Sequence, residues 1–285
     1  MSRVIAAALE AAGSAARAAR VLVRPVSSLA ELTTLDRTLA GIWQEDTSAP
    51  QLGTELLRAL AKSGNYVAGA FDGGTLVGAA VAFFAAPGER ELHSHITGVS
   101  AAAAGRSVGF ALKQHQRVWA LQRGISTISW TFDPLVARNA YFNLAKLGAM
   151  PAEYLPNFYG PMHDRINGDD DSDRLLVRWD LAAPAVVSAS AGKPVRCVRP
   201  PTATVALRRS GTGGPMPGSF RGQTLVVAVP EDVEALRRRA PGAAKDWRVA
   251  MRETLSTLLA DRLRFAGFDR DGWYVLTRGT GEYGR

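Results

Sequence analysis

Residues 99–113, VSAAAAGRSVGFALK, offer little that would cover their own backbone. Ala101 to Ala104, Gly105, Ser107 and Gly109 are small, and a helical pattern begins inside the run. Unpaired N–H groups at a helix start, with the helix dipole behind them, attract anions. Small side chains let a group as large as a pyrophosphate approach, and Arg106 adds a fixed positive charge. The same run also reads as a plain tight turn. Upstream, ELHSHITGV alternates as a strand and sets Glu91, His93, His95 and Thr97 on one face. Downstream, in WTFDPLVARNAYFNLAKLGAM (130–150), a strand stops at Asp133-Pro134 and a short helix carries Asn139 and Asn143. Asparagine suits helix interiors poorly, because its amide competes for backbone groups. Capping, an exposed polar face or a ligand would each account for the pair.

The elements that must hold these residues follow from periodicity. RVLVRPVSS reads as a strand, and LAELTTLDRTLAGIW as a helix with Leu29, Leu32, Leu35 and Leu39 on one face, capped by Ser27 or Ser28. QLGTELLRALAKSG is a second helix. NYVAGAFDGGTLVGAAVAFFAA is a hairpin around Asp72-Gly73-Gly74. VGFALKQHQRVWALQRG is a helix, ISTISWTFD a strand, and LLVRWDL closes the series. The order β-α-α-β-β-β-α-β-α-β implies a mixed α/β sheet flanked by helices. After Leu181, Ala, Gly, Pro and Ser dominate, with a strand candidate at TATVAL. QTLVVAVP, EDVEALRRRA, AAKDWRVAMRETLSTLLADRLRFAG and GWYVLTR then read as a small β-α-α-β lobe. The expected organisation is a helix at 1–20, the main domain at 21–182, a linker at 183–222 and a basic lobe at 223–285.

Composition narrows the function classes. The chain has 285 residues and a net charge of +8. All the excess lies in residues 186–285, with 17 Lys/Arg against 9 Asp/Glu. One cysteine, Cys197, excludes a disulfide framework, and His93, His95, His115 and His163 lack zinc-site spacing, so no metal is expected. The Ala-rich start is broken by Glu10, Arg17 and Arg20 and reads as a helix rather than a signal peptide. No run is long and uncharged enough to span a bilayer, and a cytoplasmic protein is expected. GDDDSD (168–173) lacks the spaced ligands of a calcium loop and reads as an exposed acidic loop. Arg237-Arg238-Arg239 reads as a solvated helix end. No groove-reading motif accompanies it, which speaks against a nucleic-acid partner.

The chain resembles the GNAT superfamily of acyl-CoA-dependent N-acyltransferases. Arg106-Ser-Val-Gly109-Phe-Ala111 fits that family's pyrophosphate-loop pattern literally. A second register is preferred, in which Val99 ends the strand and Gly105-Arg106-Ser107-Val108-Gly109 forms the turn. WTFDPL, the segment around NFYG and the strand ending in Trp179 resemble a bacterial GNAT subgroup with a C-terminal extension. The resemblance covers about residues 20–182. It implies acetyl-CoA as co-substrate, bound by Gly105, Arg106, Ser107, Val108, Gly109, Phe110 and Ala111, with Asn139 and Phe142 on the pantetheine. It also implies an amine acceptor, whether a small molecule or a peptide.

Such a transfer needs a base for the ammonium, an acid for the thiolate and a polarised carbonyl. The resemblance sets the polarising backbone N–H near Gly98 and Val99. His95 is the nearest histidine and titrates near neutral pH. Asp133 is a second candidate base or water holder. The family's usual tyrosine acid is replaced by Leu144, and Tyr159 is the candidate substitute. Glu45 and Asp46 sit where the family closes over its acceptor. The basic lobe is expected to shape the acceptor site or to form a homodimer contact. A non-catalytic acyl-CoA-binding protein is the other reading.

Overall fold

The computed structural model describes residues 2–43, 52–86, 88–160, 162 and 170–279. Glu45, Asp46 and His163 lie outside the described residues. The larger sheet has β1 (Leu22–Pro25), β2 (Tyr66–Asp72), β3 (Thr75–Phe84), β4 (Glu91–Val99), β5 (Thr127–Phe132), β6 (Met150–Leu155) and β7 (Arg174–Asp180), in the order β1-β2-β3-β4-β5-β7-β6. The smaller has β8 (Thr204–Arg209), β9 (Pro215–Pro217), β10 (Thr224–Ala228), β11 (Leu263–Phe268) and β12 (Trp273–Arg278), in the order β11-β12-β10-β8-β9. The helices are α1 (Ser2–Ala19), α2 (Leu29–Trp43), α3 (Gly53–Lys62), α4 (Val108–Leu121), α5 (Ala137–Ala140), α6 (Pro184–Ser190), α7 (Val233–Arg239) and α8 (Pro241–Ala260). Two compact units result, Met1–Trp130 with Trp179–Ala191, and Thr131–Arg178 with Gly192–Arg285.

In the first unit, β2, β3 and β4 run antiparallel in series, and β4 pairs parallel with β5 through the α4 crossover, as the element order required. Asp72 pairs with Thr75 around Gly73 (φ 52°) and Gly74 (φ 93°). Two positive φ values in a two-residue loop match the right-handed twist of the strands. Ser28 starts α2, its Oγ accepting from the Glu31 N–H at 3.3 Å while its hydroxyl donates to the Glu31 carboxylate at 2.8 Å. Leu32, Leu35 and Leu39 of α2 and Leu57 of α3 then bury against Val67, Val81 and Ile96 of the sheet. On the other face lies α4, with α1 packed along it. The buried Arg117 of α4 donates to the Leu181 carbonyl at 2.7 Å.

The second unit holds more structure than periodicity revealed. The Ala/Pro/Ser-rich stretch after Leu181 opens with α6, which belongs to the first unit. Farther on, β8 pairs parallel with β10 and antiparallel with β9. The long helix expected to reach Gly267 stops at Ala260. Arg262 then takes a left-handed φ of 62°, and the chain returns as β11 against β12. Asp232 caps α7, accepting from the Ala235 N–H at 2.8 Å. Trp247, Met251, Leu255 and Leu258 of α8 are fully buried. The Trp247 indole N–H donates to the Gly213 carbonyl at 2.9 Å, so the ring enters the core with its polar atom satisfied.

Candidate functional site

The strand that carries the histidines is interrupted. Ser94 pairs with Ala82 and Ile96 with Val81, which leaves His95 as an extra, bulged residue. Residues paired across strands share a face, and Val81 and Ala82 face opposite ways. The expected row of Glu91, His93, His95 and Thr97 is therefore broken. His93 shares its face with Phe83, whereas Thr97 pairs with Ala80 and lies on the Ser94 face. The His93 and His95 rings stand 6.3 Å apart, at 5.2 and 5.8 Å from the Phe83 ring. Burial lowers the pKa of both imidazoles, and His95 and Lys113 lower that of His93 further. Both are thus neutral near pH 7 and able to accept a proton. Behind them, the buried Lys113 donates to Ser94 Oγ at 2.9 Å and to Gln116 Oε1 at 3.1 Å, and stands 3.6 Å from the Trp130 ring centre.

The registered β4–β5 pairs are Glu91–Thr127, Leu92–Ile128 and His93–Ser129. Beyond His93, β4 runs on to Val99 without a β5 partner in that register. Gly98 is small for a packing reason, since a Cβ there would stand 2.7 Å from the Trp43 ring. After Val99 the chain makes one 3-10 turn, Ala101–Ala103, and then Gly105 (φ 77°) and Ser107 (φ 62°) bring it into α4. Ser107 thus adopts a conformation that glycine favours. The first bond of α4 runs from the Ala111 N–H to the Ser107 carbonyl at 3.1 Å. Val108, Gly109 and Phe110 have no acceptor for their N–H groups among the described residues. A Cβ on Gly109 would meet only Val99, at 3.8 Å. Arg106 turns elsewhere, to Asp72 at 2.7 Å and to the carbonyls of Ala19 and Arg20.

The second unit holds the other candidates. Asp133 is buried, and its carboxylate accepts from Arg248 at 2.8 Å through both oxygens, from Arg237 at 2.6 Å and from the Leu135 N–H at 2.9 Å. Burial alone would raise its pKa, but Arg248 and Arg237 outweigh that and hold it well below the usual carboxylate range. A carboxylate so fully engaged is a structural anion and a poor proton acceptor. Asp170 joins the same two arginines, and Asp173 pairs with Arg252 at 2.6 Å and accepts from Tyr154. The exposed acidic loop expected at GDDDSD is corrected at Asp170 and Asp173, which are 7% and 0% exposed, whereas the Asp171 side chain is 51% exposed and Gly168 and Asp169 lie outside the described residues. The solvated helix end is corrected at Arg237, whose side chain is 9% exposed. The cluster escaped sequence reasoning although its signal was present. That signal is an acid run and a basic lobe far apart in sequence, opposite in charge.

Tyr159 is 41% exposed, and its hydroxyl lies 3.0 Å from Thr131 Oγ1. Asn139, half-buried in α5, has no side-chain hydrogen bond among the described residues. Phe142 and Asn143 lie in a π-helical turn, Tyr141–Lys146, in which the Leu147 N–H reaches back to the Phe142 carbonyl at 3.0 Å. Such wider turns recur at functional sites. Cys197 is half-buried, and burial, followed by Asp269, raises its thiol pKa, which makes it a weak nucleophile.

Residues 29–148 match the model of the acetyltransferase (GNAT) family. This segment is a GNAT-family domain. Proteins of the GNAT family use acetyl-CoA. No curated protein matches the chain. Solved structures match part of the chain at low identity. An N-acetyltransferase from Staphylococcus aureus Mu50 is 17% identical, with a TM-score of 0.47 over 56% of this chain and 98% of that one. The ribosomal-protein-S18-alanine N-acetyltransferase from Escherichia coli is 15% identical, with 0.45 over 57% and 95%. The yncA protein from Salmonella typhimurium, solved with its cofactor acetyl-CoA, is 18% identical, with 0.45 over 57% and 97%.

The GNAT segment contains groups that fit acetyl-CoA. The open amides of Val108, Gly109 and Phe110 suit a pyrophosphate. Thr97 Oγ1, on the α4 face of β4, is buried without a hydrogen-bond partner among the described residues. Leu144 is 2% exposed. No described helix is long and apolar enough to cross a membrane.

Proposed function

We propose that the protein is a cytoplasmic N-acyltransferase that moves an acetyl or other short acyl group from acyl-CoA to an acceptor amine. The observation that carries this reading is β4 itself. Within one GNAT-family segment it combines a bulged histidine with a stretch without registered β5 partners, and it leads into the amide-lined start of α4. Acetyl-CoA supplies the activated acyl carbon. Val108, Gly109 and Phe110 hold its pyrophosphate through backbone N–H groups, with Gly105, Ser107 and Ala111 shaping the turn. A backbone N–H near Gly98 or Val99 polarises the thioester carbonyl. His95 takes the proton from the acceptor ammonium. The free amine then attacks directly, so that a C–N bond forms and the C–S bond breaks. Tyr159 gives its proton to the thiolate and is reprotonated by the one that the attacking nitrogen sheds as the amide forms, and Asn139 and Phe142 contact the pantetheine arm. The acceptor is a small-molecule or peptide amine.

Release of CoA thiol from acetyl-CoA across a panel of amines, with wild type and His95→Ala, tests the reading. An amine-dependent release that His95→Ala lowers supports it. Acetyl-CoA binding without release for any amine would leave the second reading, a non-catalytic acyl-CoA-binding protein. One observation favours that reading, the buried leucine at position 144.

A further inference from the structure

We infer that Arg106 is a positioning residue, which prepares the amides of α4 by clamping the end of α1 and does not itself grip the phosphates. The inference rests on the acyl-CoA reading above. Arg106 Nη1 donates to Asp72 Oδ2 at 2.7 Å, and Nη2 donates to the carbonyls of Ala19 at 3.0 Å and Arg20 at 3.3 Å. Ala19 is the last residue of α1, so its carbonyl belongs to the negative end of that helix, and Arg20 follows it at φ 55°. A guanidinium is the side chain best able to meet a carboxylate and two carbonyls at once.

The next residue, Ser107, has φ 62°, and α4 begins at Val108 with its positive end. Two helix ends of opposite sign therefore meet at the same short loop. Arg106 neutralises the negative one and anchors the residue before the left-handed turn. Without it, the Asp72 carboxylate and the carbonyls of Ala19 and Arg20 would stand uncompensated beside an anion site, and Ser107 would lose its anchored neighbour. The clamp reaches outside the matched family segment, because α1 precedes residues 29–148. It thereby gives the N-terminal helix a task, that of fixing the loop which receives the phosphates.

Calorimetry with acetyl-CoA on the full chain tests this with Arg106→Ala and the double variant Asp72→Asn/Arg106→Ala. The clamp predicts that Arg106→Ala weakens binding by about tenfold, a helix-terminus charge effect in favourable geometry. It also predicts that Asp72→Asn regains part of the loss, because the stranded negative charge is gone. Wild-type affinity in Arg106→Ala overturns the inference. So does a loss that Asp72→Asn does not relieve, which would mark a direct grip on phosphate. Should Arg106→Ala fail to fold, Arg106→Lys replaces it, keeping the charge without the fork. Weakened binding then supports the clamp, and wild-type binding refutes it. Absence of acetyl-CoA binding by the wild type would instead remove the acyl-CoA reading itself.

Discussion

Arg248 donates to both carboxylate oxygens of Asp133 at 2.8 Å, although 115 positions separate the two residues. Arg237 and Asp170 complete the group, and every member is nearly excluded from solvent. Removing one partner from a buried ion pair leaves the other charge stranded, which typically costs about 3–5 kcal/mol. Arg248→Met should lower the unfolding free energy by about that amount, measured by urea titration of Trp247 fluorescence. A change under about 1 kcal/mol would mean that the pair contributes little net stability.

The same group sets an acid limit. Asp133 and Asp173 have native pKa values below their unfolded ones, despite burial. Such carboxylates stabilise the fold above the unfolded value, about 3.9, and that contribution is lost as pH falls through the native values. Stability from this source should therefore hold steady above about pH 5 and decline below about pH 4. An acid titration followed by circular dichroism, repeated for Asp133→Asn, checks the sign, since the variant should show a shallower decline.

Gly109 and Gly98 should separate cleanly. Space for a Cβ is open at Gly109, and alanine is the better helix former by about 0.5–1 kcal/mol. Gly109→Ala should keep or slightly raise the melting temperature while weakening acetyl-CoA binding several-fold. At Gly98 an added methyl meets Trp43 at 2.7 Å, so Gly98→Ala should cost about 1–3 kcal/mol through overpacking. Paired melting curves and calorimetry on the two variants would reveal any other pattern.

His95 should carry the acidic limb of the pH–rate profile. Burial lowers its pKa, so kcat/KM should rise with pH through a value below about 6.5 and then level off. His95→Gln should abolish that limb. Should the limb persist unchanged in the variant, the base lies elsewhere.

Local chemistry was legible where one residue type forces one conformation. Asp72-Gly73-Gly74 announced a hairpin because only glycine enters two positive-φ positions freely. The leucine spacing of α2 announced the buried face at Leu32, Leu35 and Leu39, but not at Leu29, which starts the helix and is 61% exposed. The bulge at His95 carried no mark, since ELHSHITGV alternates whether or not a residue is skipped. Arg262 was similarly silent. An arginine at φ 62° stands where glycine would be expected, so the helical pattern continues unbroken through β11. The π-helical turn at Tyr141–Lys146 shows in the sequence only as one misplaced asparagine, Asn143. The acid cluster is long-range, and no local pattern could have joined Asp133 to Arg248.

The compact unit that contains residues 131–178 is completed only by residues 192–285. On the ribosome, Asp133 therefore emerges long before Arg248. At ordinary elongation rates the wait is on the order of ten seconds. Throughout that interval Asp133, Asp170 and Asp173 have none of their arginine partners from α7 and α8, and they must remain hydrated. The nascent chain thus carries these three carboxylates without their α7 and α8 partners until those helices arrive, and premature termination would leave them so.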